Sequence, residues 1–248
     1  MRIAIAGSGG KMGRTLIEAV AADASLQLAA AFDMGDDIAK ALAACDALVD
    51  FTRPEGTLAH LEACVAAGKP IVIGTTGFTP QQKARIAAAA GHVPVMLSPN
   101  FAVGVNVVFK LAEAAARALG EDYDIEVIEA HHRHKVDAPS GTALELGRIL
   151  ARATGRDLAK VAVHGREGDS GARPAKQIGF HAVRGGDIVG EHTVLFAGTG
   201  ERVEVTVRSQ SRMSYATGAL RAAKWLNGKA PGLYDSFDVL GLRGVAGV

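Results

Sequence analysis

The chain begins with MRIAIAGSGGKMGRTLIEAVAA (1–22), and the fold of its N-terminal part can be inferred from this sequence. The apolar residues at 2–6 predict a short β-strand, and Met12–Ala22 predicts an amphipathic helix. Three glycines lie between them at 7, 10 and 13, in the pattern GxxGxxG. Glycine lets the backbone adopt positive φ angles and approach a ligand closely, and the free amides of a helix start attract phosphate. The stretch therefore predicts a strand, turn and helix that bind a dinucleotide.

An acidic residue supports the nucleotide interpretation of this turn. The spacing differs from GxGxxG because Met12 stands where the third glycine would be, and an ordinary tight turn is the alternative. Asp33 follows the second predicted strand, Leu26–Phe32, where a ribose-binding carboxylate is expected. A helix-cap or turn role is the competing interpretation of Asp33. Met34 offers no charge for a 2′-phosphate, which favours NAD(H), although Lys11 could reach such a phosphate and permit NADPH.

The first hundred residues alternate predicted strands and helices. Further strands are predicted at 47–51, 70–74 and 94–97, and further helices at 38–44, 57–67 and 80–90. This alternation predicts an α/β fold with a doubly wound parallel sheet covered on both faces. Gly74–Gly77 and Ser98–Phe101 close the fourth and fifth strands, at the edge where open α/β sheets bind ligands. Each of these two segments could equally be an ordinary turn.

A different pattern begins after the fifth strand and predicts an α+β domain with a mixed or antiparallel sheet. Its predicted helices are Val105–Leu119 and Thr142–Thr154, and its predicted strands are Asp124–Ala130, 177–184, 188–197 and 202–209. Hairpin turns are predicted at Gly185–Asp187 and Gly198–Gly200, and a mobile loop at 164–174. A last helix is predicted at Tyr215–Asn227.

Composition and charge exclude several classes of function. The 248 residues carry a net charge of +1, so they lack the basic surplus of a nonspecific nucleic-acid binder. Cys45 and Cys64 match neither a disulfide framework nor a CxxC metal pattern, which favours a reducing cytoplasm. The apolar run Ile3–Ala6 is too short for a signal peptide, and no run approaches about 18 residues. We therefore expect a soluble, cytoplasmic protein with no membrane partner.

The segment EAHHRHKVDAPSGTA (129–143) is the densest cluster of chemically active residues. Three histidines, an arginine and a lysine repel one another if all are charged. The cluster therefore predicts that this segment binds an anionic partner or takes part in proton transfer. A metal site is disfavoured, because no cysteine or second ligand set lies nearby and adjacent strand histidines cannot easily share an ion. Arg133 and His134 are predicted to be structural, paired with acids such as Glu129 or Asp137.

Six stretches of the chain match the sequence pattern of a known family: GSGGKMGR (7–14), DFTRPEGT (50–57), VIGTTGF (72–78), NFAVGVNV (100–107), EAHHRHKVDAPSGTA (129–143) and GDIVGEH (186–192). Through them the chain resembles the 4-hydroxy-tetrahydrodipicolinate reductase (dihydrodipicolinate reductase) family of the bacterial diaminopimelate–lysine pathway. The resemblance implies an oxidoreductase of amino-acid biosynthesis. Its reaction would pass a hydride from NADH or NADPH to C4 of a cyclic dicarboxylate, with loss of the hydroxyl.

The resemblance also implies roles for individual residues. His131 would be the proton donor and acceptor, and Lys135 the proton donor. The implied substrate contacts are His132, Gly141 and Thr142. The implied cofactor contacts are Gly7, Ser8, Gly9, Gly10, Lys11, Met12, Asp33, Gly74, Thr75, Thr76, Ser98, Pro99, Asn100 and Phe101. These residue types suit the roles, because histidine titrates near neutrality and a lysine among other cations gives up its proton more readily.

Strand geometry makes a further prediction about the cluster. If the strand continued to 135, His131, Arg133 and Lys135 would share one face, and His132 and His134 the other. Because the resemblance makes His132 a substrate contact as well, we expect the strand to break into a loop here.

The family's architecture implies how the chain is divided. Residues 1–102 and 212–248 would form the dinucleotide-binding domain, and 103–211 a substrate-binding and oligomerisation domain that builds a homotetramer through its sheet. Closure of a hinge between the domains would exclude water from the hydride. One departure is the short segment 34–45, where family members often carry a longer insert beside the adenine.

Two other functions remain open at the level of sequence. One is another dehydrogenase of amino-acid metabolism on a similar nucleotide domain, which the histidine–lysine segment disfavours. The other is a non-catalytic nucleotide-binding protein, such as a redox sensor, which would keep the glycine turn but would not need both His131 and Lys135.

Overall fold

The structure is a computed structural model that describes residues 1–244 and divides them into two compact units. Met1–Val103 and Arg212–Arg243 form the first unit, and Gly104–Ser211 forms the second. The range 212–248 that the resemblance assigns to the nucleotide domain ends in residues 245–248, which lie outside the described residues. Each unit is built around its own sheet.

The first unit holds a six-stranded sheet in which every pair of neighbours is parallel. Its strands are β1 Arg2–Ala6, β2 Gln27–Phe32, β3 Ala47–Asp50, β4 Ile71–Ile73, β5 Pro94–Leu97 and β11 Gly232–Tyr234. Their order across the sheet is β11-β5-β4-β3-β1-β2. The chain runs from β1 outward to β2 and then returns past β1 to β3. The strand order therefore reverses at β1 and β3, where sheets of this kind bind ligands.

Helices cover both faces of this sheet. They are α1 Lys11–Ala21, α2 Ile38–Ala44, α3 Pro54–Ala67, α4 Pro80–Ala89, α8 Met213–Leu226 and α9 Ser236–Leu240. Alternate strand residues such as Ile3 and Val49 pack with α1 and α8, while Ala4 and Leu48 pack with α2, α3 and α4. Burial on both faces explains why the central strands β3 and β4 have consecutive apolar residues rather than an alternating pattern.

Local sequence signals fix several helix ends. Pro54 occupies the first turn of α3, where its missing N–H costs no hydrogen bond, so the helix begins before the predicted Thr57. The same helix ends at Gly68, whose φ of 63° is left-handed. Thr79 starts α4 with a capping box, because its side chain accepts from the Gln82 amide and Gln82 bonds back.

The second unit has a mixed five-stranded sheet. Its strands are β6 Asp124–His131, β7 Ala162–His164, β8 Ile178–Arg184, β9 Gly190–Ala197 and β10 Arg202–Ser209, and their order is β10-β9-β6-β8-β7. Helix α5 spans Val103–Leu119, α6 spans Gly141–Ala153 and α7 spans Leu158–Val161. Strand β9 is antiparallel to β6 and β10, whereas β8 is parallel to β6 and β7. Helix α6 packs on β6, β8 and β9.

One predicted hairpin is wrong. Gly185–Asp187 joins β8 to β9, but these strands do not pair, because β6 lies between them. The connection instead crosses the end of β6, where the Gly185 amide donates to the His131 carbonyl at 3.0 Å. The second predicted turn, Gly198–Gly200, does join the paired strands β9 and β10.

The predicted elements are otherwise found with small shifts at their ends. Among the described residues, the elements without a prediction are β7, α7, β11, α9 and a 3-10 helix at Gly120–Asp122, each three to five residues long. The predicted loop at 164–174 begins one residue later, because His164 ends β7. Arg166 and Arg173 in this loop both donate to Glu126 on β6. Among residues 1–244, no helix combines the length and apolar character that a membrane crossing needs.

Candidate active site

The glycine turn lies at the carboxyl end of β1 and leads directly into α1. Gly7 has a φ of 73°, and a Cβ added there would lie 2.9 Å from Thr52 Cγ2. A Cβ on Gly13 would lie 2.1 Å from the Gly7 carbonyl oxygen, so only glycine allows α1 to pack this closely on the turn. Gly9 and Gly10 are exposed. The backbone therefore forms a shallow cradle at a helix start, which fits a pyrophosphate.

Asp33 stands at the end of β2 beside this cradle. Its Oδ2 accepts hydrogen bonds from Ser8 Oγ at 2.8 Å and from the Gly9 amide at 2.9 Å. Asp37, not Asp33, caps the following helix, so the helix-cap alternative for Asp33 is wrong. The turn alternative is supported, because the Asp33 carbonyl accepts from the Asp36 amide at 3.2 Å in the turn that follows β2. The Asp33 carboxylate also orders the glycine turn. Met34 beside it is fully exposed.

A buried polar cluster that sequence reasoning missed lies at the end of β3. Asp50 is fully buried, and its Oδ1 accepts from the Thr52 amide at 2.8 Å and the Thr52 hydroxyl at 2.7 Å. Its Oδ2 lies 2.6 Å from His60 Nδ1. Thr57 Oγ1 lies 2.8 Å from Thr75 Oγ1, which connects the cluster to the end of β4. The available signal was an aspartate that ends a wholly apolar strand.

The predicted cofactor residues after β4 differ in exposure. A Cβ on Gly74 would lie 2.1 Å from the Phe51 ring, so glycine is required by packing there. Thr75 is buried in the polar cluster, and Thr76 is exposed. Of these three residues, Thr76 presents its side chain to the surface, while the other two hold the loop.

The predicted cofactor residues after β5 divide in the same way. Ser98 is buried, and its Oγ donates to the Asn100 carbonyl at 2.9 Å and accepts from Ser236 Oγ at 2.7 Å. Phe101 is buried, with its ring centroid 5.8 Å from that of Phe51. Pro99 is exposed and Asn100 half-buried, so these two residues present the surface of the loop.

The histidine segment breaks where the sequence predicted a loop. Strand β6 ends at His131, which is buried, and the Lys135 amide donates to the His132 carbonyl at 3.0 Å to form a turn. Lys135 Nζ pairs with Asp137 Oδ1 at 2.8 Å. His131 therefore sits in the sheet, and Lys135 sits in the loop that follows it.

A buried carboxylate lies beside His131. Glu129 Oε2 lies 2.6 Å from His131 Nδ1, and Arg184 of β8 donates to both carboxylate oxygens at 2.8 Å. The expected pairing of Arg133 and His134 with Glu129 or Asp137 is wrong. These acids are held by Arg184, His131 and Lys135, and both Arg133 and His134 are exposed. The pairing of β6 with β8 brings Arg184 to Glu129.

Burial and neighbouring charges set the protonation of the site. Burial lowers the pKa of His131, although its hydrogen bond to Glu129 opposes this change. Burial lowers the pKa of His192, on β9, to about 4. Burial works against ionisation of Glu129, but hydrogen bonds from Arg184 and His131 outweigh it and hold its pKa below the ordinary value. At neutral pH both histidines are therefore neutral and the glutamate is charged.

The start of α6 adjoins these groups. Ser140 Oγ accepts from the Ala143 amide at 3.2 Å, which caps the helix, and lies 3.1 Å from His192 Nε2. Gly141 is exposed, and a Cβ there would meet nothing within 4 Å, so packing does not explain the glycine. Thr142 is half-buried in the same first turn. The Ser140 side chain thus orders the start of α6, and the exposed Gly141 leaves it accessible to an anion.

His132 carries an unpaired polar atom. Its Nδ1 is buried and has no hydrogen-bond partner among the described residues. A buried polar atom without a partner is costly unless a ligand supplies one. The part of the chain that the structure describes holds no group of three or more His, Cys, Asp or Glu arranged for a metal ion.

Comparison with known proteins finds two family models that match consecutive parts of the chain. The model described as dihydrodipicolinate reductase, N-terminus, matches residues 1–101. The model described as dihydrodipicolinate reductase, C-terminus, matches residues 104–240.

Curated relatives match along nearly the whole length. The 4-hydroxy-tetrahydrodipicolinate reductase of Thiobacillus denitrificans is 57% identical, over 98% of this chain and 99% of the relative. The protein of the same name from Aromatoleum aromaticum is 56% identical, over 98% of this chain and 96% of the relative.

Solved structures with a similar fold include a member of the same family. The dipicolinate-bound dihydrodipicolinate reductase from Paenisporosarcina sp. TG-14 matches with a TM-score of 0.75 and 25% identity, over 96% of this chain and 98% of that chain. A probable dehydrogenase from Thermotoga maritima matches at 0.62 with 11% identity, over 96% of this chain and 92% of that one, which is a likeness of fold alone. The predicted fold class, a Rossmann-like sheet followed by a second mixed sheet, is confirmed.

Proposed function

We propose roles for the residues of this site from one premise: the chain belongs to the dihydrodipicolinate reductase family. It is an oxidoreductase that reduces 4-hydroxy-tetrahydrodipicolinate to tetrahydrodipicolinate with NAD(P)H in diaminopimelate and lysine biosynthesis. The bound nicotinamide cofactor supplies the hydride. The reaction also consumes one proton and releases the lost hydroxyl as water, so the protein must deliver a proton as well as bind two ligands.

His131 and Lys135 handle this proton. The observation that carries the assignment is a pair of contacts. Buried His131 pairs with Glu129, and Lys135, in the turn that follows, pairs with Asp137. Because burial keeps His131 neutral at neutral pH, it can accept a proton and return it. The Lys135 ammonium, which the Asp137 carboxylate keeps in place, is the proton donor.

The substrate carboxylates bind at His132, Gly141 and Thr142. The open amide of Gly141 stands at the positive end of α6, where a carboxylate is stabilised. A ligand oxygen near His132 would also give its buried Nδ1 the partner that it lacks.

The first unit binds the nucleotide across the ends of β1 to β5. The cradle of Gly7–Met12 holds the pyrophosphate, and Asp33 faces the ribose. The other contacts are the loops 74–76 and 98–101, whose buried members Thr75, Ser98 and Phe101 hold the exposed ones in place. NADH is the favoured cofactor, because a carboxylate at Asp33 repels a 2′-phosphate, and Lys11 gives a weaker route to NADPH.

The second unit binds substrate and assembles a homotetramer in the cytoplasm. Its sheet exposes Ile128 and Val183 on the face opposite α6, which supports pairing of sheets between chains. Light scattering on the purified protein should then give about four times the chain mass of 25.6 kDa. A monomer mass at micromolar concentration would refute the tetramer.

The roles of His131 and Lys135 are tested by Lys135→Ala and His131→Gln. We expect each variant to lose about 10²–10⁴-fold in kcat while NADH still binds, because only proton transfer is removed. NADH binding is followed by its fluorescence, and turnover by its absorbance. Lys83→Ala, an exposed lysine of the first unit, is the control and should turn over normally. A rate like that of the wild type in either variant would remove that residue from the mechanism.

A further inference from the structure

Glu129 is the most fully bonded side chain of the second unit's site. It is 1% exposed, on the central strand β6. Its Oε2 meets His131 Nδ1 at 2.6 Å and Arg184 Nη1 at 2.8 Å. Its Oε1 accepts from the Ser140 amide at 3.1 Å and Arg184 Nη2 at 2.8 Å. Each oxygen therefore has two donors, which accounts for about four lone-pair positions of an ionised carboxylate.

These contacts extend to the Lys135 loop and to the start of α6. Arg184 Nη2 also donates to the Asp137 carbonyl at 2.6 Å, in the loop that carries Lys135. Glu129 also accepts from the amide of Ser140, which is the residue before Gly141 at the start of α6. One carboxylate thus connects the histidine, the lysine loop and the carboxylate-binding helix start.

The chemistry of the pair decides which nitrogen of His131 carries a proton. An ionised carboxylate can only accept a hydrogen bond, so Nδ1 of a neutral His131 must be the donor. The other nitrogen, Nε2, is then unprotonated and has its lone pair available. A histidine in the opposite tautomer would direct a lone pair at the carboxylate and could accept no proton from a substrate at Nε2.

We propose that Glu129 is the positioning residue of this site: it fixes His131 as the Nδ1–H tautomer and, through Arg184 and Ser140, holds the Lys135 loop and the start of α6 in register with it. This inference rests on the proposed function, because it assigns Glu129 the task of preparing His131 for proton transfer. Glu129 itself does not exchange a proton with the substrate.

Charged and titratable groups surround His131 on every side. Glu129 faces it from its own strand, Arg184 from β8, His192 from β9 and Lys135 from the following loop. The His192 ring lies edge-on at 5.1 Å between centroids, and burial keeps it neutral at neutral pH. Because Lys135 and Arg184 disfavour a charged His131, Glu129 is the group that compensates for a second proton on the ring.

The wild-type protein gives the first test. A two-bond ¹H–¹⁵N correlation spectrum of the histidine rings distinguishes the two tautomers, and the His131→Gln variant assigns the signal. We expect the Nδ1–H tautomer for His131 at neutral pH. An Nε2–H tautomer in the wild type would overturn the proposal without any further variant.

Glu129→Gln gives the second test. Its amide nitrogen can donate to Nδ1, which would turn His131 into the Nε2–H tautomer. We expect kcat to fall by about 10²–10⁴-fold, with KM for the cofactor unchanged. Glu129→Asp keeps an acceptor-only group, so it should keep the Nδ1–H tautomer and recover part of the rate. If the glutamine variant does not fold, the aspartate variant still reports both quantities.

Glu126→Gln is the matched control. Glu126 lies on the same strand and, like Glu129, pairs with arginine and histidine, in its case with Arg166, Arg173 and His181, but on the opposite face. We expect it to change neither kcat nor the His131 tautomer. Normal kcat and the Nδ1–H signal in Glu129→Gln would overturn the positioning role. Full activity in His131→Gln would instead defeat the proposed function, while the tautomer of the wild type would still be measured, so the two failures are distinguishable.

Discussion

Asp33 accepts hydrogen bonds from Ser8 and Gly9, so the carboxylate proposed to face the ribose also orders the glycine turn. Removing it would then have two effects. The loss of the turn's hydrogen bonds would weaken both cofactors alike. The loss of the negative charge would affect the affinities for NADH and NADPH unequally, because that charge attracts a ribose hydroxyl and repels a 2′-phosphate.

We predict that Asp33→Ala weakens NADH more than NADPH, shifting the ratio of their Kd values by about tenfold, or about 1.4 kcal/mol. The ratio is measured by fluorescence titration of each cofactor. Ser8→Ala is the control, since it removes one of the same turn bonds and should change both affinities equally. An equal loss for both cofactors in Asp33→Ala would show that Asp33 does not touch the ribose.

Individual residues were predictable where a local pattern carried them. The break after His131 followed from strand alternation together with the family resemblance, which makes both His131 and His132 site residues, and the structure confirms it. Arg184 was not predictable as the partner of Glu129, because only the pairing of β6 with β8 brings them together. Asp50 was missed for the same reason, since its partners come from α3 and the end of β4.

At the scale of elements, the packing of α1 on β1 depends on glycine. We predict that Gly13→Ala destabilises the protein by about 1–3 kcal/mol and weakens cofactor binding, because its Cβ would lie 2.1 Å from the Gly7 carbonyl oxygen. Urea denaturation measures the first effect and NADH titration the second. Glu18→Ala, an exposed position of the same helix, should leave both unchanged. Normal cofactor affinity in Gly13→Ala would mean that the turn tolerates displacement.

Strand β9 gives the second unit a dependence on pH. Burial lowers the pKa of His192 from 6.5 to about 4, so between these values the unfolded chain binds more protons than the folded one. Stability contributed by neutral His192 is therefore complete above pH 6.5 and is lost as the pH falls towards 4. The loss amounts to about 3 kcal/mol at most.

We predict that His192→Gln has a flatter stability curve than the wild type between pH 6.5 and 4, although it is less stable at pH 7 because the Ser140 hydroxyl loses its contact with His192 Nε2. Urea denaturation of both proteins at several pH values measures the difference in their free energy of unfolding. Groups that titrate alike in both proteins cancel in this difference. Parallel curves across this range would show that His192 titrates normally in the folded protein.

Elements were predictable when they were long or when their order alternated. Strands β1, β5 and β10 and helix α2 have the predicted ends, because apolar runs and turn residues bound them. The hairpin at Gly185–Asp187 was wrong because a turn signal does not say whether a third strand intervenes. Short elements such as β7 and α9 carry too few residues for a periodic pattern.

The whole molecule combines two sheets of different type in one chain. Arg212–Arg243 returns to the first unit, where β11 extends the parallel sheet beside β5. No local pattern predicts this return, because β11 is three residues long; the family resemblance implied it. The predicted reaction also came from the resemblance, because the residue types alone left another dehydrogenase and a redox sensor as alternatives.

Reduction of 4-hydroxy-tetrahydrodipicolinate is tested most directly by a coupled assay on the purified protein. Aspartate semialdehyde, pyruvate and the preceding synthase generate the unstable substrate, and the absorbance of NADH or NADPH is followed in separate reactions. We predict a loss of absorbance that requires both the synthase and this protein, and that is faster with NADH. Cofactor binding without consumption would contradict the reductase assignment and favour a sensor or a dehydrogenase of another substrate.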